Sequence, residues 1–203
     1  MGFAKKSKCE ENGFTLNTCG SNGGEKPPMP LTLGGKMNIT IRLAVPSDAP
    51  DMAEVGMRSW EAAYKHILPA DYIREKNATR PQQFRESITD ENTTAYVIQK
   101  DGKTAGIMKL APPADDDVDD TFYEMHYIYL HPDYFRQGIG AQAMKFAFQK
   151  ARELGKTFMV IWVFAENTNT IEFYKKCGFI ADNKSRTQSR GRDVVIIRMR
   201  KTL

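Results

Sequence analysis

A chain of 203 residues, 41% of them hydrophobic and 27% charged, can bury one good core and is read as a single domain rather than two small ones. Its net charge of +4 is not gathered into a Lys/Arg run with interleaved aromatics, which argues against a nucleic-acid partner, and no stretch approaches the ~20 apolar residues of a membrane span. The three cysteines, Cys9, Cys19 and Cys177, are odd in number and form no CxxC pair, a usage that fits a reducing, cytoplasmic compartment.

Residues 1–36 are rich in Gly, Asn, Ser, Lys and Pro, lack periodicity and hold too little apolar content to offset ordering entropy, so disorder is expected there. Glu10 and Glu11 interrupt the basic part and no apolar core follows, so the segment is read as an extension of a domain over 37–203, not as a targeting peptide. Residues 39–43 alternate as a strand, and Pro46-Ser47-Asp48 supplies a turn and cap before a helix over 49–66. After the break at Leu68-Pro69-Ala70-Asp71, two short helical stretches are expected over 71–75 and 81–88. Strands over 95–99 and 104–110 flank Asp101-Gly102, a hairpin signal, and 112–120 is an acidic loop. The second half reads as strand 122–130, helix 138–154, strand 158–163, helix 168–177 and strands near 179–181 and 194–199.

The stretch EMHYIYLHPDYFRQGIGA (residues 124–141) runs an apolar strand into a glycine turn that opens an amphipathic helix. Gly138 and Gly140 remove Cβ atoms where backbone approaches a ligand, and the free N–H groups of the helix start point into the turn, an arrangement that binds pyrophosphate. The same glycines satisfy a loose GxGxxG/A dinucleotide pattern, with Glu166 as a candidate ribose ligand, but seven residues separate Leu130 from Gly138 where that fingerprint starts at the strand end. A plain glycine loop before an ordinary helix is the third option.

Together with AENTNTIEFYKKCGF at residues 165–179, this turn resembles the acetyl-CoA site of the GNAT family of N-acetyltransferases. The family pattern Arg/Gln-x-x-Gly-x-Gly/Ala falls on Gly138 and Gly140, with Phe135 in place of the usual Arg or Gln. The resemblance implies an α/β GNAT fold, a mixed central sheet flanked by helices. It implies that the backbone of Arg136, Gln137, Gly138, Ile139, Gly140 and Ala141 cradles the pyrophosphate of coenzyme A, that Ile128, Tyr129 and Leu130 offer strand backbone to pantetheine, and that Asn167 contacts pantetheine. It also implies that Tyr174 protonates the departing thiolate and that Glu124 takes the ammonium proton through water. Read from the residues alone, Tyr174 is equally an amphipathic core residue and Asn167 a helix N-cap.

Period-two geometry puts Glu124, His126, Ile128 and Leu130 on one face of their strand and Met125, Tyr127 and Tyr129 on the other, so Glu124 and His126 are both candidate bases. On the acceptor side the family resemblance points to Trp60, Tyr64, His66 and the five aspartates of the 112–120 loop, which either steer a polycationic amine or form a solvated charge run. The segment WVFAENTNTIEFYKKCGF and the C-terminal Lys201-Thr202-Leu203 resemble bacterial polyamine acetyltransferases of the PaiA type. The expectation is acetyl transfer from acetyl-CoA to a primary amine of a small molecule, polyamines included, by direct attack. Alternatives are a protein acetyltransferase and a non-catalytic acyl-CoA sensor. No metal is expected, since His66, His126 and His131 lack ligand spacing, and Cys177 is read as a small buried residue rather than a nucleophile. The acceptor and the oligomeric state, a homodimer among the options, are not fixed by the sequence.

Overall fold

The structure is a computed structural model and describes residues 38–203; the expectations for the N-terminal extension lie outside the described residues. Strand β1 (Ile39–Leu43) alternates as its sequence does, with Ile39 and Ile41 turned inward. Helix α1 (Ala49–Tyr64) buries Met52, Ala53, Val55, Gly56 and Ser59, one face of a 3.6-residue repeat. It ends two residues before the expected position, because the Ile67 and Leu68 N–H groups both close on the Tyr64 carbonyl ahead of Pro69.

The two short helices expected next are one continuous helix, α2 (Ala70–Thr89), with Pro81 inside it. Pro81 forfeits the bond to the Asn77 carbonyl and is exposed, while Ile73, Arg80 and Phe84 anchor both halves of the helix on one buried face. Packing of that face overrides the local break signal.

Strands β2 (Thr94–Lys100) and β3 (Lys103–Ala111) form the expected hairpin, with Asp101 at φ 50° and Gly102 at φ 79°. The remaining elements are β4 (Phe122–Leu130), α3 (Ile139–Glu153), β5 (Phe158–Phe164), α4 (Thr168–Lys176), β6 (Ile180–Ser189) and β7 (Asp193–Thr202). They complete a seven-stranded sheet of order β1-β2-β3-β4-β5-β7-β6. Only β4 and β5 run parallel. Helices α3 and α4 cover one face over Met108, Leu110, Met125, Met159 and Ile161; α1 and α2 cover the other over Val97 and Ile107.

Strand β6 is far longer than the three residues expected of it. It is an edge strand exposed along most of its length, so its polar sequence carries no alternation, and a register shift after Ala181 with Asn183 at φ 64° marks a bulge.

Candidate active site

Parallel pairing of β4 with β5 lasts only three residues, Phe122 with Phe158, Tyr123 with Met159 and Glu124 with Val160. Beyond Glu124 the strands part. From Met125 to Leu130, β4 is paired on one side by β3, and from Ile161 to Phe164, β5 is paired on one side by β7. The backbone groups that face each other across the resulting wedge have no strand partner among the described residues, and buried backbone groups of that kind need one.

A bulge at His126 sets what lines the wedge. Leu110 faces Met125 and Lys109 faces Tyr127, so His126 is the extra residue on β4. The face assignment drawn from strict alternation is therefore wrong for this strand. Met125 joins Ile128 and Leu130 against α3 and α4, whereas Tyr127 and Tyr129 pack toward α1 and α2 with rings stacked at 4.8 Å. Glu124 and His126 do remain neighbours, with His126 Nε2 3.7 Å from Glu124 Oε2.

Glu124 stands at the apex of the wedge with its side chain 13% exposed. Burial, reinforced by the nearby Asp115 carboxylate and opposed by Arg186 and Arg198, pushes its carboxyl up to about 7. Burial and the Lys109 ammonium push the His126 imidazole below its ordinary value. Both groups are thus available as proton acceptors near neutrality.

The wide end of the wedge opens toward the start of α3. Gly138 caps this helix in the left-handed region at φ 77°, and Arg136 two residues earlier is also left-handed at φ 58°. Nothing occupies the helix start from within: no side chain caps it, and its first turn holds no acidic residue. Gln137 is tied elsewhere, donating from Nε2 to the Asp133 carbonyl and accepting from Lys100 Nζ through Oε1.

Gly140 also serves the packing of α3. A Cβ there would lie 3.2 Å from Phe173 Cζ and 3.5 Å from Leu130 Cδ1, so this glycine lets α3 close onto α4 and β4. Ala141 stays exposed on the first turn, and Ile139 is buried beneath it.

Asn167 follows β5 and caps α4, its Oδ1 accepting from the Thr170 N–H at 3.3 Å while the residue is 7% exposed. Tyr174 lies one face along, 5% exposed, against Phe173 and Phe179. Burial pushes its hydroxyl well above the ordinary phenol range, so the group is held protonated. The helix ends in paired bonds from Gly178 N to the Lys175 carbonyl and from Phe179 N to the Tyr174 carbonyl, with Gly178 at φ 88°, which fixes the turn carrying Tyr174. Burial also raises the Cys177 thiol, which stays protonated and is a poor nucleophile.

The acidic loop before β4 is tied down at two of its five aspartates. Arg198, 4% exposed on β7, donates to Asp115, Asp117 and Asp182, and Trp162 Nε1 donates to Asp115 at 3.0 Å. Lys184 pairs with Asp117 at 3.0 Å, and Asp119 accepts from the Thr121 backbone. Asp116 and Asp120 are exposed. His66 is exposed just past the end of α1, whereas Trp60 and Tyr64 meet edge to face at 5.2 Å and Tyr64 meets Phe164 of β5 at 5.0 Å. Sequence reading passed over Arg80 and Arg198. The signal was available for both: Arg80 falls on the buried stripe of Ile73 and Phe84, and Arg198 on the inward alternation of Val194 and Ile196.

Among the described residues there is no cluster of three His, Cys, Asp or Glu side chains that could hold a metal, and no helix long and apolar enough to cross a membrane. The pattern that defines the Acetyltransferase (GNAT) family matches residues 60–179, more than half of the chain. An uncharacterised N-acetyltransferase of Methanocaldococcus jannaschii is 26% identical over 141 residues, covering 69% of this chain and 60% of that protein. The PaiA N-acetyltransferase of Thermoplasma acidophilum, solved in complex with coenzyme A, superposes with a TM-score of 0.68 at 21% identity over 82% of this chain and all of its own. A Salmonella typhimurium acetyltransferase, YncA, solved with acetyl-CoA, superposes with a TM-score of 0.57 at 20% identity over 81% of this chain and 94% of its own. The wedge, the uncapped helix start and the sequence match converge on one conclusion: the chain belongs to the GNAT family, acyltransferases that take their acetyl group from acetyl-CoA.

Proposed function

We propose that the protein acetylates a primary amine of a small molecule by direct attack in a ternary complex. The observation that carries this reading is the early parting of β4 from β5 with the uncapped start of α3 at its wide end. An extended chain of amides in the wedge would satisfy the unpaired edges of Met125–Leu130 and Ile161–Phe164, as an added strand does. In this reading Ile128, Tyr129 and Leu130 supply backbone to pantetheine, together with Asn167 through its remaining amide N–H groups. The backbone from Arg136 to Ala141 receives the pyrophosphate.

Acetyl-CoA supplies an acyl carbon already activated as a thioester. The amine nitrogen bonds to that carbon, the C–S bond breaks, one proton leaves nitrogen and one reaches sulfur. Glu124 takes the first through water, its pKa of about 7 placing it between carboxylate and acid at working pH. Tyr174 holds the second, kept on oxygen by burial. The unreactive state of Cys177 favours direct attack over an acyl-enzyme.

Two of the five loop aspartates, Asp115 and Asp117, are engaged by Arg198, Lys184 and Trp162, while Asp116, Asp119 and Asp120 stay exposed, so polyamines remain among the small amines to be tried. Release of free thiol from acetyl-CoA, with a panel of amino acids, polyamines, aminoglycosides and short peptides, tests the reading. Release with a small amine is the expected result. Release with a peptide alone would turn the assignment to a protein acceptor, and binding of acetyl-CoA without release to any amine would make the protein a sensor.

A further inference from the structure

Polar side chains meet between α1, α2 and β4. The Ser87 and Tyr127 hydroxyls face each other and the Trp60 indole faces the Tyr129 hydroxyl, whereas Arg80 Nη2 has no partner among the described residues. Native interiors hold few such atoms, and one on a cation asks for an explanation.

Arg80 is the costly member of this layer. It is 5% exposed, its Nε donates to Asn77 Oδ1 at 2.9 Å, and its guanidinium lies 4.2 Å from the centre of the Trp60 indole. Among the described residues the ionisable groups that reach it are the phenols of Tyr129, Tyr64 and Tyr127, and no carboxylate is among them. A buried guanidinium that faces phenols, an indole and the Asn77 amide, and that Glu61 reaches only through Asn77, has no carboxylate of its own, a cation that proteins ordinarily pair. Space has been cleared to hold it there: a Cβ on Gly56 of α1 would lie 2.9 Å from Phe84 Cε2 and 3.4 Å from Arg80 Cδ.

The layer is continuous with the wedge. The Trp60 ring meets the Tyr64 ring at 5.2 Å, and the Tyr64 ring closes on Phe164 at the end of β5 at 5.0 Å. Arg80, over the Trp60 indole, therefore lies next to the end of β5, on the side of the sheet where Glu124 also lies.

We propose that Arg80, with Trp60, seats a carboxylate of the acceptor, so that the amine acetylated belongs to an amino-acid-type small molecule. This rests on the acetyltransferase reading above and names its substrate class. A carboxylate is the ligand that fits, because the guanidinium keeps an unpaired N–H and a fixed positive charge, and the Trp60 indole beside it can only donate. An amine without a carboxylate leaves the guanidinium as unpaired in the complex as it is alone. A site of this kind rejects analogues that lack its partner far more strongly than an apolar pocket does, by up to ~10⁴-fold.

The test uses the full chain and matched trios of acceptors: an amino acid, its amide and the corresponding decarboxylated amine, over several side chains, with one polyamine alongside. Thiol release should favour the acid over both partners by about 100-fold or more in kcat/KM, and Arg80→Gln should raise KM for the acid while leaving the amide within about twofold. Arg80→Lys should restore part of the loss. A purely structural Arg80 would instead depress all acceptors and acetyl-CoA binding in parallel, and that result, or equal turnover of acid and amide, or preference for the polyamine, overturns the proposal. The acid-against-amide comparison in the unaltered protein stands even where Arg80→Gln fails to fold. A readout independent of turnover is the thermal shift given by an N-acetyl amino acid against its amide, expected in the unaltered protein and lost in Arg80→Gln. Should no acceptor release thiol, the acetyltransferase reading falls, while the presence or absence of that shift still decides the role of Arg80.

Discussion

The two sides of the wedge are built by different means. On the α3 and α4 side the site is made by backbone: left-handed residues at Arg136 and Gly138, an uncapped helix start, the unpaired edges of β4 and β5, and the capped ends of α4. On the α1, α2 and β7 side it is made by side chains far apart in sequence, Trp60, Tyr64, Arg80, Glu124 and the aspartates gathered by Arg198. Under the proposed function the backbone-built side would receive the cofactor and the side-chain-built side the acceptor. The difference tells where specificity is written, and each side can be broken separately.

The largest effect on stability belongs to Arg198. Replacing it with Met leaves Asp115, Asp117 and Asp182 without their shared cation while Asp115 and Asp182 stay about nine-tenths buried. A broken buried pair costs ~3–5 kcal/mol, and since the Asp117 side chain is 40% exposed the expected loss is about 2–3 kcal/mol by denaturant unfolding. The Arg198 guanidinium and Lys184 hold the Asp117 carboxyl far below its ordinary value, so this stability is present above the unfolded carboxylate pKa and disappears as pH falls through the folded one. Arg198→Met and the unaltered protein should converge in strong acid, and a gap that persists there would show that Arg198 acts by packing alone.

Next in size is Tyr174→Phe, which removes one hydroxyl from a residue already fixed by Phe173 and Phe179. A lost general acid is worth ~10²-fold or more in kcat, about 2.7 kcal/mol, with acetyl-CoA affinity unchanged. Unaltered kcat would leave Tyr174 a core residue. On the other side, Glu124 binds its proton until about pH 7 in the folded chain. As a base it works only when deprotonated, so kcat/KM should rise with pH through about 7, and Glu124→Gln should lower the plateau and flatten the limb. A limb that survives that substitution assigns it to another group, with His126 the neighbour to replace next.

Most of the fold could be read ahead of the structure because it follows from local rules. The Asp101-Gly102 hairpin, the alternation of β1 and the glycine turn before α3 each depend on residues adjacent in sequence. What could not be read depends on contacts across the chain. The continuity of α2 through Pro81 is decided by the face it buries, and the length of β6 by the partner it finds in β7. The bulge at His126 shows the limit most clearly. One extra residue in the pairing with β3 puts Met125 and Tyr127 on opposite faces, and nothing in the alternation of EMHYIYL announces it. On the other side of the sheet Trp60, Tyr64 and the acidic loop were legible, while Arg80 and Arg198, each a charge on an apolar stripe, were not.

The smallest expected effect separates the two glycines that one motif treats as equivalent. Gly138 is exposed at φ 77°, so Ala there is strained by about 1 kcal/mol and alters the loop without entering the core. Gly140 is buried within α3, where Ala improves helix propensity by ~1 kcal/mol but brings a methyl to 3.2 Å from Phe173, the neighbour of Tyr174. Gly138→Ala should therefore weaken acetyl-CoA binding by up to about tenfold, ~1.4 kcal/mol, with kcat nearly intact. Gly140→Ala should do the reverse, sparing affinity and lowering kcat, if Tyr174 on α4 is the acid and the turn receives the phosphates as proposed, because the added methyl presses on α4. Identical profiles for the two variants would mean that the turn and α4 respond as one unit, and that the backbone-built side of the wedge has no division of labour within it.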